Sequence, residues 1–407
     1  MSVLPTVKKL IRSVPSVDNA LCWLGGRRLD KDYSKNVFYY QSGSVDPEAH
    51  MKRLRKTWQP RRYLHNASEA RVALICMETW ESRSLIPGIA NSFDTVHIPI
   101  RDTSDHAFYT AQQQDVVRKF IDADTHSPFD MVLVYATNAQ ISADTLNTIR
   151  GYGPLVAVMC LDDKQSFRDL KPQRSWPGGQ FPLIGSAHVH LTNARECVRW
   201  YDRHNASALH WPEGAHVDFG FYAGAVQDID VSFVGQCYGI RRNFVDKLRR
   251  QGINVSCFGR GWENSFVSDS DMFRVFARSK INLGLGYVGY STSMTCLKGR
   301  DFDVPGTGNF YLTTYDTELA DCFRVGEEIV CYRNGAECAE LIRYYLERPE
   351  ARKQIADAGR GRVVREHTWQ YRLEYLMQWA GIAEKKKTVR ALPIGNGASI
   401  DDAASDS

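Results

Sequence analysis

Residues 231–259, VSFVGQCYGIRRNFVDKLRRQGINVSCFG, decide the fold class. Val231–Gly235 is a short apolar run ending on glycine, the profile of a buried parallel strand that runs into a turn. A helical pattern follows over Arg241–Gln251, and Val255–Gly259 is a second apolar run that again ends on glycine. Strand, turn, helix, strand is the unit from which parallel α/β sheets are assembled.

The same alternation extends in both directions. Upstream, strands are expected at Val72–Met77, Thr95–Pro99, Met131–Tyr135, Leu155–Leu161, His188–Leu191 and Leu209–Trp211, with helices over Ala107–Ile121 and Ser142–Ile149. Downstream, strands are expected at Ile281–Leu285, Asn309–Leu312 and Glu328–Tyr332, with helices over Met272–Ser279, Met294–Asp303 and Ala336–Leu346. Between the two sets lies WPEGAHVDFGFYAGA, residues 211–225, whose Pro and Gly punctuate it as a linker. Two Rossmann-like α/β units joined this way predict a two-lobed protein that binds its ligand in the cleft, at the carboxyl ends of the strands. Near the end, Thr368–Trp379 places Trp369, Leu373, Leu376 and Trp379 at core-facing helical spacing.

Composition agrees with an ordinary globular protein: 407 residues, 43% hydrophobic and 24% charged, long enough for two packed cores. No apolar run approaches the roughly 20 residues needed to cross a bilayer. The start, MSVLPTVKKLIRSVP, lacks the apolar core and cleavage site of a secretory signal. The 10 cysteines include no CxxC pair and read as reduced thiols, so the expected compartment is the cytoplasm.

Charge is uneven. Residues 1–62 hold 13 Lys/Arg against 5 Asp/Glu, whereas the whole chain carries only +4. Leu4, Val7, Leu10, Ile11 and Val14 fall at helical spacing beside Lys8, Lys9 and Arg12. Two readings stand: peripheral contact with an anionic membrane through residues 1–62, or an extension packed on the body with its charges solvated. The tail after Ile382, rich in small and polar residues, is expected to be disordered.

The sequence contains no Walker, HExxH or GxSxG motif, and nothing points to a nucleic-acid partner. Asp-x-Asp triplets at Asp228–Asp230, Asp269–Asp271 and Asp301–Asp303 fall at positions poorly suited to grip a metal–diphosphate, so metal-free chemistry is expected. Three glycine turns suit an anion instead: Gly235 before Arg241, Gly259 in FGRGW, and LGYVGYSTSM, in which Ser291 and Thr292 can donate hydroxyls. Lys298 and Arg300 follow within two turns and supply positive charge. Asp303, three residues past Arg300, can accept from a ribose diol or simply pair with Arg300. In the upstream half, Asp162 and Asp163 follow a strand at the expected cleft and either share a proton or cap the next segment. His188 and His190 share one strand face, which is either a site face or buried core. Glu213, between Pro212 and Gly214, either approaches the ligand or acts only as a hinge residue.

The pieces VSFVGQCYGIRRNFVDKL and LKGRDFDVPGTGNFYLTTYDTELADCFRVGEEIVCYRNGAECAELIRYYLERPEARKQIADAGRGRVVREHTW, within residues 231–376, resemble the C-terminal domain of CgeB-like glycosyltransferases of the spore-maturation-protein type, in the group-1 GT-B set. WPEGAHVDFGFY and LVAVMCLDDKQSF resemble the family's first half more faintly, and residues 1–66 show no such likeness. The resemblance implies a GT-B fold and metal-independent transfer of a sugar from a nucleoside-diphosphate-sugar, the donor substrate, to a glycan, lipid-linked or protein acceptor, with no cofactor. It places the donor acid on Asp303, where the family often has Glu, the phosphate contacts on Arg241, Lys298 and Arg300, and the glycine turn on Gly235; Gly306, in the turn Pro305–Gly308 where the family often has Ala-Cys-Gly-Gly, is a further donor-binding candidate. The catalytic candidates are Asp162, Asp163 and His188. It also implies domains at 67–215 (acceptor side) and 216–366 (donor side), flanked by the basic extension 1–66, a returning helix at 367–382 and the tail 383–407. An epimerase acting on the same donor and a non-catalytic GT-B-like scaffold or coat protein are the alternatives.

Overall fold

The computed structural model describes residues 24, 27, 30, 31, 33, 34, 46–168, 174–217, 224–264, 269–291 and 293–384. Eleven strands form two parallel sheets among the described residues. The first sheet contains β1 (Arg71–Cys76), β2 (Asp94–Pro99), β3 (Met131–Tyr135), β4 (Leu155–Cys160), β5 (Val189–Thr192) and β6 (Ala208–His210), in the order β2-β1-β3-β4-β5-β6. The second contains β7 (Ile229–Val234), β8 (Val255–Phe258), β9 (Ser279–Leu283), β10 (Tyr311–Thr314) and β11 (Val330–Tyr332), in the order β11-β10-β9-β7-β8. Every strand expected from the sequence is present, because parallel strands covered on both faces are unbroken apolar runs. In each sheet the strand order reverses at one point, between β1 and β3 and between β7 and β9. A crevice opens at such reversals.

Both faces of each sheet are covered. On one face of the first sheet, Leu74, Leu133 and Met159 pack with Trp369, Leu373 and Leu376 from the helix Trp369–Ala380. Thus the final helix, which follows the second lobe in sequence, completes the core of the first. Leu54, Trp58 and Leu64 join the same core, so the helix Pro47–Thr57 packs into this lobe, ahead of the boundary expected at 67. The helix Pro47–Thr57 had its signals in view: Asp46 accepts from the Glu48 amide as N-cap, Pro47 follows, and Arg55 and Lys56 close the last turn.

The basic surplus of the first 62 residues is partly consumed by this packing. Arg53 pairs with Asp202 at 2.5 Å, Arg61 with Asp124 at 3.0 Å and Arg62 with Asp130 at 2.7 Å. The amphipathic stretch Leu4–Val14 and the tail beyond residue 384 lie outside the described residues. Among the described residues no helix is long and apolar enough to cross a membrane.

The lobes meet through directed polar contacts. Lys164 Nζ donates to the Thr295 carbonyl at 2.8 Å, His210 Nε2 lies 2.8 Å from Glu318 Oε2, and Ser84 Oγ donates to Asp303 Oδ1 at 2.9 Å. The nine described cysteines are all free. The helix expected over Met294–Asp303 forms instead as Arg300–Gly306. In the preceding segment, Thr295 Oγ1 donates to Asp316 at 2.7 Å.

Candidate functional site

The strand reversal of the second sheet gathers most of the chemistry. β7 ends at Val234, and Gly235 turns the chain with its N–H on the Phe258 carbonyl at 2.8 Å. A Cβ on Gly235 would lie 2.8 Å from Arg300 Nη1, so the missing side chain is what lets Arg300 reach the turn. Phe233, fully buried, is the platform: Arg300 lies 5.1 Å and Arg241 5.6 Å from its ring centroid. Nη1 of Arg241 donates to the Gln236 carbonyl at 3.0 Å. The remaining guanidinium atoms are poorly served, since Arg241 Nε and Arg300 Nε and Nη2 are buried without a hydrogen-bond partner among the described residues. Burial first, then the charge of Arg300, pulls Arg241 down to about 9. Two like charges with unpaired buried donors are a standing penalty that a bound anion relieves.

The turns are locked to one another. Gly239 has φ +63, and a Cβ there would lie 1.7 Å from the Gly289 carbonyl oxygen, which accepts from the Ile240 amide at 3.0 Å. Gly259 serves the same fit, because a Cβ on it would meet the Gly235 carbonyl at 2.6 Å. Gly259 therefore shapes the turn.

From the first lobe, Asp162 meets this region: its Oδ1 is 3.8 Å from Lys298 Nζ, and its side chain is 44% exposed. Asp163 does not share that position, contrary to the expectation of a carboxylate pair. It is 1% exposed and accepts from the Tyr201 hydroxyl at 2.8 Å inside the lobe, where burial pushes it up to about 7. The start of the helix Asp163–Ser166 turns the two side chains apart.

His188 is also displaced from the cleft. It precedes β5, at the amino end of the sheet, while the crevice lies at the carboxyl end. At about 3.3 Å per residue, the four residues of β5 separate the two edges by roughly 13 Å. Its ring nitrogens lie 3.0 Å from the Val156 amide and 3.2 Å from Arg150 Nε, and burial and then Arg150 hold it down to about 3. His190 is stacked on Tyr201 at 4.6 Å and is likewise core.

Ser291 is engaged otherwise. Its Oγ accepts from the Met294 amide at 2.8 Å and donates to Asp30 of the N-terminal segment. Thr292 lies outside the described residues. Gly306 is not at the anion seat either: a Cβ there would press on Ala215 and Val363, both at 3.2 Å, where the helix Arg300–Gly306 packs on the helix Pro349–Glu366. Asp303 accepts from Ser84 across the cleft, and burial pushes it up to about 7. Its triplet partner Asp301 turns away, accepting from Tyr311 at 2.7 Å and from the Lys298 amide at 2.7 Å. Asp228 and Asp230 pair with Arg278 and Lys280. None of these carboxylates forms a convergent pair.

Three further groups reach the cleft from carboxyl ends of the first sheet. Glu81 follows β1, fully buried, with Thr79 donating through its amide and hydroxyl at 3.0 and 2.6 Å. Tyr135 ends β3, packed edge-on to Trp80 at 5.5 Å. Glu213 follows β6 and is 5% exposed. A charged residue between Pro and Gly, just after a strand, was the only sequence signal for Glu213; nothing local marks Glu81 or Ser84.

Residues 241–378, about a third of the chain, match the family described as glycosyl transferase-like. No curated protein matches the chain in sequence. Among solved structures, the Anabaena HepE protein in complex with UDP and glucose is similar over 76% of this chain and 99% of its own, with 10% identity and a TM-score of 0.51. Sucrose-phosphate synthase from Thermosynechococcus elongatus is similar over 76% and 98%, with 10% identity and a TM-score of 0.48. A putative UDP-N-acetylglucosamine 2-epimerase from Listeria monocytogenes is similar over 76% and 95%, with 10% identity and a TM-score of 0.45. The fold is GT-B, two parallel-sheet Rossmann-like lobes facing across a cleft, and its second lobe with the returning helix is glycosyltransferase-like.

Proposed function

We propose that the protein transfers a sugar from a nucleoside-diphosphate-sugar to a hydroxyl of a glycan, lipid-linked or protein acceptor, without a metal ion. The observation that carries this reading is the anion seat made by Arg241 and Arg300 on Phe233, with buried donors left unpaired at the glycine turn. A donor diphosphate fills those donors and relieves the repulsion between the guanidinium groups. As the bond from sugar to phosphate breaks, negative charge grows on the leaving diphosphate, where fixed cations stabilise it most. Asp162, paired with Lys298, closes the seat from the first lobe. Asp303 faces the ribose side of the site in this reading and gives up Ser84 when the donor binds. The match to glycosyl transferase-like proteins over residues 241–378 supports the reaction class, and the GT-B fold supports an acceptor entering from the first lobe.

Calorimetric titration with UDP, GDP, ADP, dTDP and CMP, with and without EDTA, tests this on the wild type and on Arg300→Ala. Binding of one nucleotide in EDTA, weakened about 10- to 100-fold in the variant, is expected from the loss of a charged hydrogen-bonding group. No binding to any of them overturns the reading in favour of a non-catalytic scaffold.

A further inference from the structure

Glu213 follows β6 at the carboxyl edge of the first sheet, and its backbone is held by the returning helix. Arg372, fully buried on the returning helix, donates from Nε to the Pro212 carbonyl at 3.0 Å and from Nη2 to the Glu213 carbonyl at 3.1 Å. The next residues are clamped too: the Ala215 amide donates to the His367 carbonyl at 2.9 Å, and the Trp369 amide donates to the Ala215 carbonyl at 3.2 Å. Gly214 permits this, because a Cβ there would lie 2.8 Å from the Trp369 nitrogen. The segment Pro212–Ala215 is thus held at four backbone atoms.

The side chain has the opposite character to its backbone. Its carboxyl makes no hydrogen bond to any described residue, although the residue is 5% exposed. It lies against Gly299, whose added Cβ would be 2.8 Å from Glu213 Oε2, immediately before Arg300. A carboxyl held at the cleft with no hydrogen bond from the described residues is free to accept one from a substrate. Resting on the transferase reading above, we infer that Glu213 is the catalytic base, accepting the proton of the acceptor hydroxyl. The acceptor O–H bond breaks, with its proton passing to a Glu213 carboxylate oxygen, while the acceptor oxygen bonds to C1 of the sugar. The C1–O bond to the diphosphate breaks, with its electron pair leaving on the diphosphate oxygen beside Arg241 and Arg300. Attack opposite the leaving group inverts the configuration at C1.

The surroundings raise the basicity of this carboxyl. Burial, above all, pushes Glu213 well above the usual carboxylate range; Lys298 opposes this, and Asp301, Asp303 and Asp162 add to it. Tyr135 faces it from β3, and Arg372 touches only its backbone carbonyl.

The test compares the wild type with Glu213→Gln and Glu213→Asp, following UDP affinity by calorimetry and UDP release from UDP-glucose and UDP-N-acetylglucosamine with water as acceptor. Glu213→Gln should bind UDP within about twofold of the wild type, yet release it at least about 100-fold more slowly. Glu213→Asp should recover part of the rate. The wild-type kcat/KM should rise with pH on its acidic side, a rise lost in Glu213→Gln, and the first sugar released should be inverted at C1. Release within fivefold of the wild type in Glu213→Gln, retained configuration, or a wild type that binds UDP-glucose without releasing UDP would each overturn the assignment alone. A wild type that binds no nucleotide removes the transferase reading and this assignment together.

Discussion

Ser84 of the first lobe donates its hydroxyl to Asp303 of the second at 2.9 Å, and the same oxygen accepts from the indole N–H of Trp369 at 3.0 Å. One hydroxyl therefore joins the first lobe, the second lobe and the returning helix. All three residues are buried, so loss of the hydroxyl strands both partners. Ser84→Ala should cost about 1–3 kcal/mol of stability, read from urea unfolding. A variant as stable as the wild type would show that water replaces the hydroxyl and that the contact ties nothing.

The anion seat predicts a trade between stability and binding. Arg300 carries two buried donors without partners beside a second guanidinium. Arg300→Met keeps the side-chain length on Phe233 and removes the charge. The ligand-free variant should be about 1 kcal/mol or more stabler than the wild type, as when buried charges yield to apolar residues of similar size. It should also lose the rise in Tm that a nucleotide gives the wild type. A lower Tm without ligand would count against an unrelieved repulsion at this seat.

The two glycine turns predict a position that tolerates no side chain. Gly239 combines φ +63 with a Cβ position 1.7 Å from the Gly289 carbonyl oxygen. Gly239→Ala should cost at least about 1–2 kcal/mol from the backbone conformation alone, before the clash is counted. It should lower nucleotide affinity too, because Arg241 starts the helix two residues later. Gly252→Ala, also at positive φ but with open space around its Cβ, should show the backbone cost without the binding loss.

Buried carboxyls give stability a definite slope with pH. Burial pushes Asp163 up to about 7, with Thr192, Tyr201 and Cys160 hydrogen bonds pulling it partly back. In the unfolded chain the same group titrates near 3.9. Between those values the folded state binds more protons, so its contribution is complete at the acid end and is lost as pH rises from about 4 to about 7. Asp163→Asn should flatten that part of the stability curve, measured as the difference from the wild type in urea midpoint across the window. An unchanged slope would place the titration of Asp163 in its ordinary range.

The strands were legible one by one. Val72–Met77 is apolar throughout, and Val231–Gly235 is so but for Ser232, because parallel strands are covered on both faces, and that requirement is written in adjacent residues. Elements without such a run were harder to read. The helix Pro349–Glu366 contains Gly359 and Gly361 and few apolar residues; a Cβ on Gly359 would lie 2.4 Å from the Glu328 carbonyl, so its composition reflects a close approach rather than helix propensity.

The donor side of the site was partly legible for a related reason. A glycine at the end of a strand and cations at helix starts form a local pattern that suits an anion, so Gly235, Arg241 and Arg300 stand out along the chain. Asp163 and His188 misled because one residue of offset, or one end of a strand against the other, reverses which side chains meet the cleft.

By itself, the sequence determined the two parallel sheets, the linker between them and the cations of the second lobe, since each rests on patterns that span a few residues. Only the tertiary structure decided that Glu213 is clamped by the returning helix, that Ser84 joins Asp303 to Trp369, and that Asp162 rather than Asp163 meets Lys298. Those relationships unite segments more than 100 residues apart, and the burial and partner of a side chain are properties of the assembled fold.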